Sequence, residues 1–205
     1  MAKKESTYGL EFRNGLYYLT ENGEYVTTPK LSEVSTKSEK LAKMLVDCAN
    51  RSGIKYTQPT DIFNYLYSTL DFAMYWDDED REQQIARMLW LLETNQDAFL
   101  MFRQSCPMWP PVAKNLHNYL SMELPTLPPH RLMCYVILST TRGSVALAQY
   151  IISEILEADG DYDELKDDFL DDLKEYCAYN GLRFNRRQFS TLIDRFTFYF
   201  TLDEV

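Results

Sequence analysis

The stretch 159–200 constrains the fold most, because an acidic helical pattern that stops at Asn180-Gly181 is followed within a few residues by a basic one capped at Asn185. Asp163, Asp167, Asp171 and Glu175 recur at every fourth position, and Glu164, Asp168 and Asp172 fill the adjacent row, so one helical face is almost wholly carboxylate. Leu165, Phe169, Leu173, Tyr176 and Cys177 fall on the opposite side as its buried stripe. Asn180-Gly181 supplies a C-terminal stop. Asn185 with Gln188 then forms a capping box for a second helix, whose core face is Phe189, Leu192, Ile193 and Phe196. Arg186 and Arg187 stand in its first turn, where cations oppose the helix dipole, which points to a nearby anion or carboxylate. Residues 197–202, rich in threonine and aromatic side chains, predict a strand.

Upstream, residues 8–28 predict an antiparallel β meander: strands at 10–13, 16–20 and 24–28 joined at Asn14-Gly15 and Asn22-Gly23, the dipeptide of tight hairpin turns. The segment 12–18 is similar to hairpins in phage and plasmid replication proteins, a likeness confined to this meander and without a specific motif. Thr36 with Glu39 predicts the start of a helix that Gly53 closes, and residues 54–56 read as a short strand. Thr60 is expected to cap a helix reaching Tyr75, burying Ile62, Phe63, Leu66, Leu70 and Ala73 and turning Tyr65 or Tyr67 toward an edge. Asp77, Asp78, Glu79 and Asp80 suit the N-terminus of the next helix, striped by Ile85, Met88, Leu89 and Leu92. Helices are also expected near 96–104, 112–123, 131–140 and 145–158, the third apolar nearly all round and therefore central. Cys106-Pro107-Met108-Trp109-Pro110-Pro111 is a rigid apolar connector. The fold class expected is α+β, mainly α: one domain over 1–205, with a meander and first helix at 8–56, a helical core at 60–158, and the acidic helix, basic helix and strand at 159–205.

Charge is uneven along the chain, with a net +2 over 1–60, −4 over 61–153 and −8 over 154–205, giving −10 in all. Such a balance disfavours nonspecific adhesion to nucleic acid or anionic lipid and favours basic partners. No run of about eighteen apolar residues offers a membrane span, and residues 1–5 lead into no apolar signal segment, so a cytoplasmic protein is expected. Cys48, Cys106, Cys134 and Cys177 lack the paired spacing of zinc or dithiol sites and read as buried thiols. Only His117 and His130 could serve a histidine-based site. Asp159, Asp161 and Asp163 alternate like the start of a calcium loop, but Glu164 stands where glycine is required and Leu170 where glutamate is required. No metal or cofactor is expected.

The chain also lacks a phosphate-cradling glycine loop, a nucleophile elbow, a His-Glu-x-x-His pair and a dinucleotide fingerprint, so binding rather than catalysis is the expected activity. Carboxylates one helical turn apart stand about 6 Å from each other, close to the phosphate spacing of a nucleic-acid strand. A double row on one face would imitate a duplex backbone for a nuclease or other nucleic-acid-binding partner, in the style of phage proteins that block host defences. Asp163, Glu164, Asp167, Asp168, Asp171, Asp172, Glu175, Asp77, Asp78, Glu79, Asp80 and Trp109 are the candidate partner-binding residues. The competing reading is an exposed face that only meets water. A winged helix-turn-helix is a second alternative, in which Arg183, Arg186, Arg187 and Arg195 meet DNA and Gln188 reads a base. A third is a structural or assembly subunit whose many aromatics pack against copies of itself.

Overall fold

A computed structural model describes residues 6–58, 61–105 and 113–205, with no account of the side chains of 113 and 114. The connector 106–111, with Cys106 and Trp109, and the expected cap Thr60 lie outside the described residues. The architecture is α+β and mainly helical, with a small antiparallel sheet at the N-terminal end.

Strands β1 (Tyr8–Arg13), β2 (Leu16–Glu21) and β3 (Glu24–Tyr25) form the expected meander, and β4 (Ser35–Thr36) joins it. Both hairpin turns put asparagine and glycine at positive φ (Asn14 54°, Gly15 81°, Asn22 53°, Gly23 88°), the conformation that matches the twist of the flanking strands. One edge of β2 pairs with β1, while β3 and β4 share the other, opposite Thr20–Glu21 and Tyr17–Tyr18. Leu19, Val26 and Val34 turn inward, and α1 (Glu39–Ser52) packs on the sheet with Leu41, Leu45, Cys48 and Ala49 buried. The side-chain amide of Asn50 binds both the N–H and the C=O of Tyr8, at 3.1 and 3.2 Å.

The cap of α1 is Ser38, whose Oγ accepts from Leu41 N at 3.2 Å. Thr36, the expected cap, is held extended in β4, and its hydroxyl accepts from Ser38 N instead. Asp61 caps α2 (Ile62–Asp71). Residues 54–56 are not a strand: Tyr56 docks by donating its hydroxyl to Thr27 O at 2.9 Å. Tyr65 is fully buried rather than at an edge, its ring 5.4 Å from that of Tyr199.

Helix α3 (Asp78–Glu93) starts from Asp77 and buries Ile85, Met88 and Leu92. Helices α4 (Ala98–Ser105) and α5 (Ala113–Glu123) flank the connector, and α6 (Pro129–Arg142) is the expected central helix, in contact with α2, α3, α7 and α9. Helix α7 (Ala146–Ile151) continues as a π-helical turn over Ile152–Leu156. Helices α8 (Tyr162–Tyr179) and α9 (Arg186–Phe200) complete the fold. No helix among the described residues is long and apolar enough to cross a membrane.

The predicted strand at 197–202 is helix through Phe200. Its residues alternate in a way that suits a strand, but the 3.6-residue phase of Leu192, Ile193 and Phe196 carries on to Tyr199, and all four are fully buried. Tyr199 donates to Thr69 Oγ1 at 2.9 Å, and Thr197 and Thr201 satisfy their hydroxyls on helix carbonyls one turn back. His130 donates from Nε2 to Leu202 O at 2.9 Å, tying the chain end to the start of α6. Burial holds its pKa below the usual histidine value.

Candidate partner-binding surface

Asp161 sets the phase of α8, since its carboxylate accepts from Asp163 N and Glu164 N at 3.0 and 3.3 Å. The second aspartate of the calcium-like pattern is therefore a helix cap. Phe169, Leu170, Leu173 and Cys177 are buried, and Leu165 and Tyr176 are half-buried. At about 100° per residue, Glu164, Asp168, Asp171 and Glu175 form a stripe opposite that face. Asp163 and Asp167 lie on the flank toward α9, and Asp172 lies on the flank toward α4; both helices pack against α8.

The flanks are neutralised within the chain. Arg186 bridges Asp167 and Asp171, at 3.0 and 2.8 Å, from the first turn of α9. The cation at that helix start is thus answered by carboxylates, which removes the electrostatic anomaly in the sequence. Lys166 binds both Asp163 and Asp194, at 3.2 and 3.1 Å. Arg103 of α4, only 12% exposed, binds Glu154 on the π turn and Asp172 at 3.2 Å, with its guanidinium 4.3 Å from the centre of the Tyr150 ring. Burial lifts the Glu154 carboxyl to about 7 against the pull of Arg103, and raises Asp172 for the same reason.

Glu164, Asp168 and Glu175 are exposed and make no ion pair among the described residues. The double row of the sequence is therefore a single solvent-facing row, interrupted at Asp171 by Arg186. Four of the seven carboxylates belong to intramolecular pairs. Lys166 and Arg103 had no place in the sequence reading. The Lys166 pair had a signal in the i, i+3 spacing from Asp163, whereas Arg103, Glu154 and Asp172 meet only through tertiary packing.

Asp77 caps α3, accepting from Asp80 N at 2.8 Å, and Asp77, Asp78, Glu79 and Asp80 are all exposed. Helix α3 packs on α5, α6 and the turn Leu124–Thr126, whereas α8 packs on α4, α9 and the π turn, so the two acidic clusters stand on separately supported helices. The winged-helix alternative loses its wing to α9. Of its cations, Arg186 is engaged with Asp167 and Asp171, while Arg195 turns inward to Met44 Sδ and Cys48 Sγ at 3.0 and 3.3 Å. Arg183, Arg187 and Gln188 are exposed. Cys48, Cys134 and Cys177 are buried free thiols, each pushed above the usual cysteine pKa by burial.

No protein-family model, no curated protein and no solved structure matches the chain. The likeness of its first hairpin to phage and plasmid replication proteins gains no support from these comparisons.

Proposed function

We propose that the protein acts by stoichiometric binding, not chemistry, and that the α8 stripe of Glu164, Asp168 and Glu175 receives a basic surface of a partner protein. The observation that carries this reading is the sorting of charge on α8. The flanking carboxylates and Asp171 are matched by Lys166, Arg186 and Arg103, while Glu164, Asp168 and Glu175 of the central row face water unmatched. Buried Phe169, Leu170, Leu173 and Cys177 seat the helix on the core, and the free carboxylates then meet a cationic partner from an ordered surface. A partner with a nucleic-acid-binding channel fits this chemistry, contacted along one row rather than two. The cytoplasm, where free thiols stay reduced, is the compartment assigned with this function.

The test compares Glu164→Gln/Asp168→Asn/Glu175→Gln with Asp167→Asn/Asp171→Asn, after partner capture from native lysate and titration of the purified pair. The stripe variant is expected to weaken binding at least about tenfold, roughly 1.4 kcal/mol, and to flatten its salt dependence. The Asp167→Asn/Asp171→Asn variant should lose much less, because Arg186 already neutralises those carboxylates. Equal losses in the two variants, or binding insensitive to salt, would exclude this surface.

A further inference from the structure

A groove of about 320 Å³ opens between α2, α6 and the start of α3. Its lining is half apolar, from Phe72, Trp76, Met133, Val136 and Ile137, and half polar, from Asn64, Ser68, Thr140 and Thr141 with Gln84 on the α3 side. Phe72 of this lining is 37% exposed, Met74 and Tyr75 just after it in the chain are 58% and 75% exposed, and Leu31, next to the Lys30 that meets the Phe72 ring, is 79% exposed. Scattered exposed apolar residues need no explanation, but several next to one groove-lining ring do.

Leu31 carries the second observation. Its φ is 69°, a left-handed conformation that glycine or asparagine takes easily and leucine does not. The strain is fixed in place by the turn around it. Leu31 N donates to Thr28 O, Thr28 Oγ1 donates to buried Asp71 at 2.7 Å, and Lys30 N donates to the same carboxylate at 3.1 Å. The Lys30 ammonium sits 3.8 Å from the centre of the Phe72 ring, so the tip that carries Leu31 is held against the groove's own lining. Strain that presents an apolar side chain to water contributes nothing to the isolated fold.

Charge decides the occupant. Asp77 and Asp80 precede Gln84 by seven and four residues, which puts them on the α3 side that borders the groove, just beyond Trp76. All four acidic residues there are exposed, Arg81 beside them turns its guanidinium to the carbonyls of Pro125 and Leu127, and Arg87 follows only past Gln84, so negative charge gathers at the Trp76 end. The walls are helices, which present no strand edge for an extended peptide to pair with.

We infer that this groove binds an amphipathic helix of a partner protein, its apolar face on Phe72, Trp76, Val136 and Leu31 and its basic end over Asp77 and Asp80. This is a second contact surface, independent of the α8 stripe.

The probe is a labelled synthetic peptide of about five helical turns, with leucine and phenylalanine at i, i+3, i+4 and i+7 and lysines at one end. Its comparators are a scrambled peptide and one whose lysines are replaced by glutamine. Fluorescence anisotropy should show saturable binding of the lysine-ended peptide and at least tenfold weaker binding of the scrambled one. Val136→Asp should weaken it at least tenfold. Asp77→Asn/Asp80→Asn, which keeps the helix cap because asparagine caps as well as aspartate, should weaken the lysine-ended peptide severalfold and leave the glutamine-ended one unchanged. Leu31→Gly should weaken binding while the melting temperature holds or rises, a result that a merely structural leucine would not give. Should Val136→Asp fail to fold, the other two variants decide the matter. Equal binding of the scrambled peptide, no saturation, indifference to these variants, or a wild-type dimer dispersed by Leu31→Gly in sedimentation would each overturn the assignment. Glu164→Gln/Asp168→Asn/Glu175→Gln should bind the peptide like wild type, so the two surfaces stand or fall separately.

Discussion

Replacing Asp97 by alanine is expected to destabilise the protein by about 3–5 kcal/mol. Asp97 is fully buried and is one group serving two helices. Its carboxylate accepts from Leu100 N at 3.0 Å, which caps α4. It also accepts from Ser144 Oγ at 2.6 Å, Val145 N at 2.7 Å and Ala146 N at 2.9 Å, which anchors the start of α7. Ser144 in turn accepts from Leu147 N at 2.9 Å. Alanine strands these donors where water does not reach, at about 1–3 kcal/mol for each group left unsatisfied and with incomplete additivity. Chemical denaturation of Asp97→Ala and Ser144→Ala measures this directly. Ser144→Ala should lose less, about 1–2 kcal/mol, because the Asp97 carboxylate keeps its backbone donors. An Asp97→Ala variant within about 1 kcal/mol of wild type would show that the two helix starts do not depend on this residue.

Arg103→Met is the second large effect, with an expected loss of about 3–5 kcal/mol, because Glu154 and Asp172 then keep their carboxyls partly buried with no cation between them. The loss has a defined pH dependence. Glu154 titrates near 7 in the folded protein against an ordinary value of 4.5. Between those values the folded state holds a proton that the unfolded chain has released, so the contribution of Glu154 to stability is greatest below 4.5 and falls as pH rises toward 7. Removing Arg103 raises the folded pKa further, so the Met variant should be worse at about pH 8 than at about pH 5. Buried His130 pulls the other way, since its lowered pKa makes stability fall as pH drops through its range. The difference between wild type and Glu154→Gln isolates the carboxyl: the glutamine variant should lack the decline between 4.5 and 7, and Arg103→Met/Glu154→Gln should recover part of the loss. Denaturant midpoints across that pH range check both signs. Parallel pH curves for wild type and Glu154→Gln would show that Glu154 is not held protonated.

The elements legible in the sequence were those fixed by short-range chemistry. Asn14-Gly15 and Asn22-Gly23 demand positive φ at both turn residues, so the meander follows from adjacent pairs. Asn185 and Gln188 mark the start of α9 for a similar reason: the cap bond joins residues one turn apart. Where pairing over distance competes with a local signal, local reading fails. Thr36 carried a capping-box pattern but was claimed by β2, which handed the cap to Ser38. Residues 197–202 carried strand propensity, but α2 and α6 offered a buried face that continues the helix. The acidic face shows the same division. Its rows were readable, and the carboxylate partner of Arg186 was foreshadowed by the dipole argument. Which carboxylates stay free depended on Arg103, far away in sequence and brought in by packing of α4 against α8. The groove beside Phe72 was invisible because its walls come from three separated helices.

Asn50 has a consequence for what the sheet does in a crowded cell. By engaging the outward N–H and C=O of Tyr8, its amide fills the position of a neighbouring strand at one end of β1. The two-residue phase of the strand leaves Leu10 and Phe12 pointing their main-chain groups the same way, with Glu11 and Arg13 interleaved. That open length is too short, and too closely flanked by charge, to recruit another chain by ladder growth. An amide on a helix thus acts as a stopper for the sheet at the Tyr8 end of this edge.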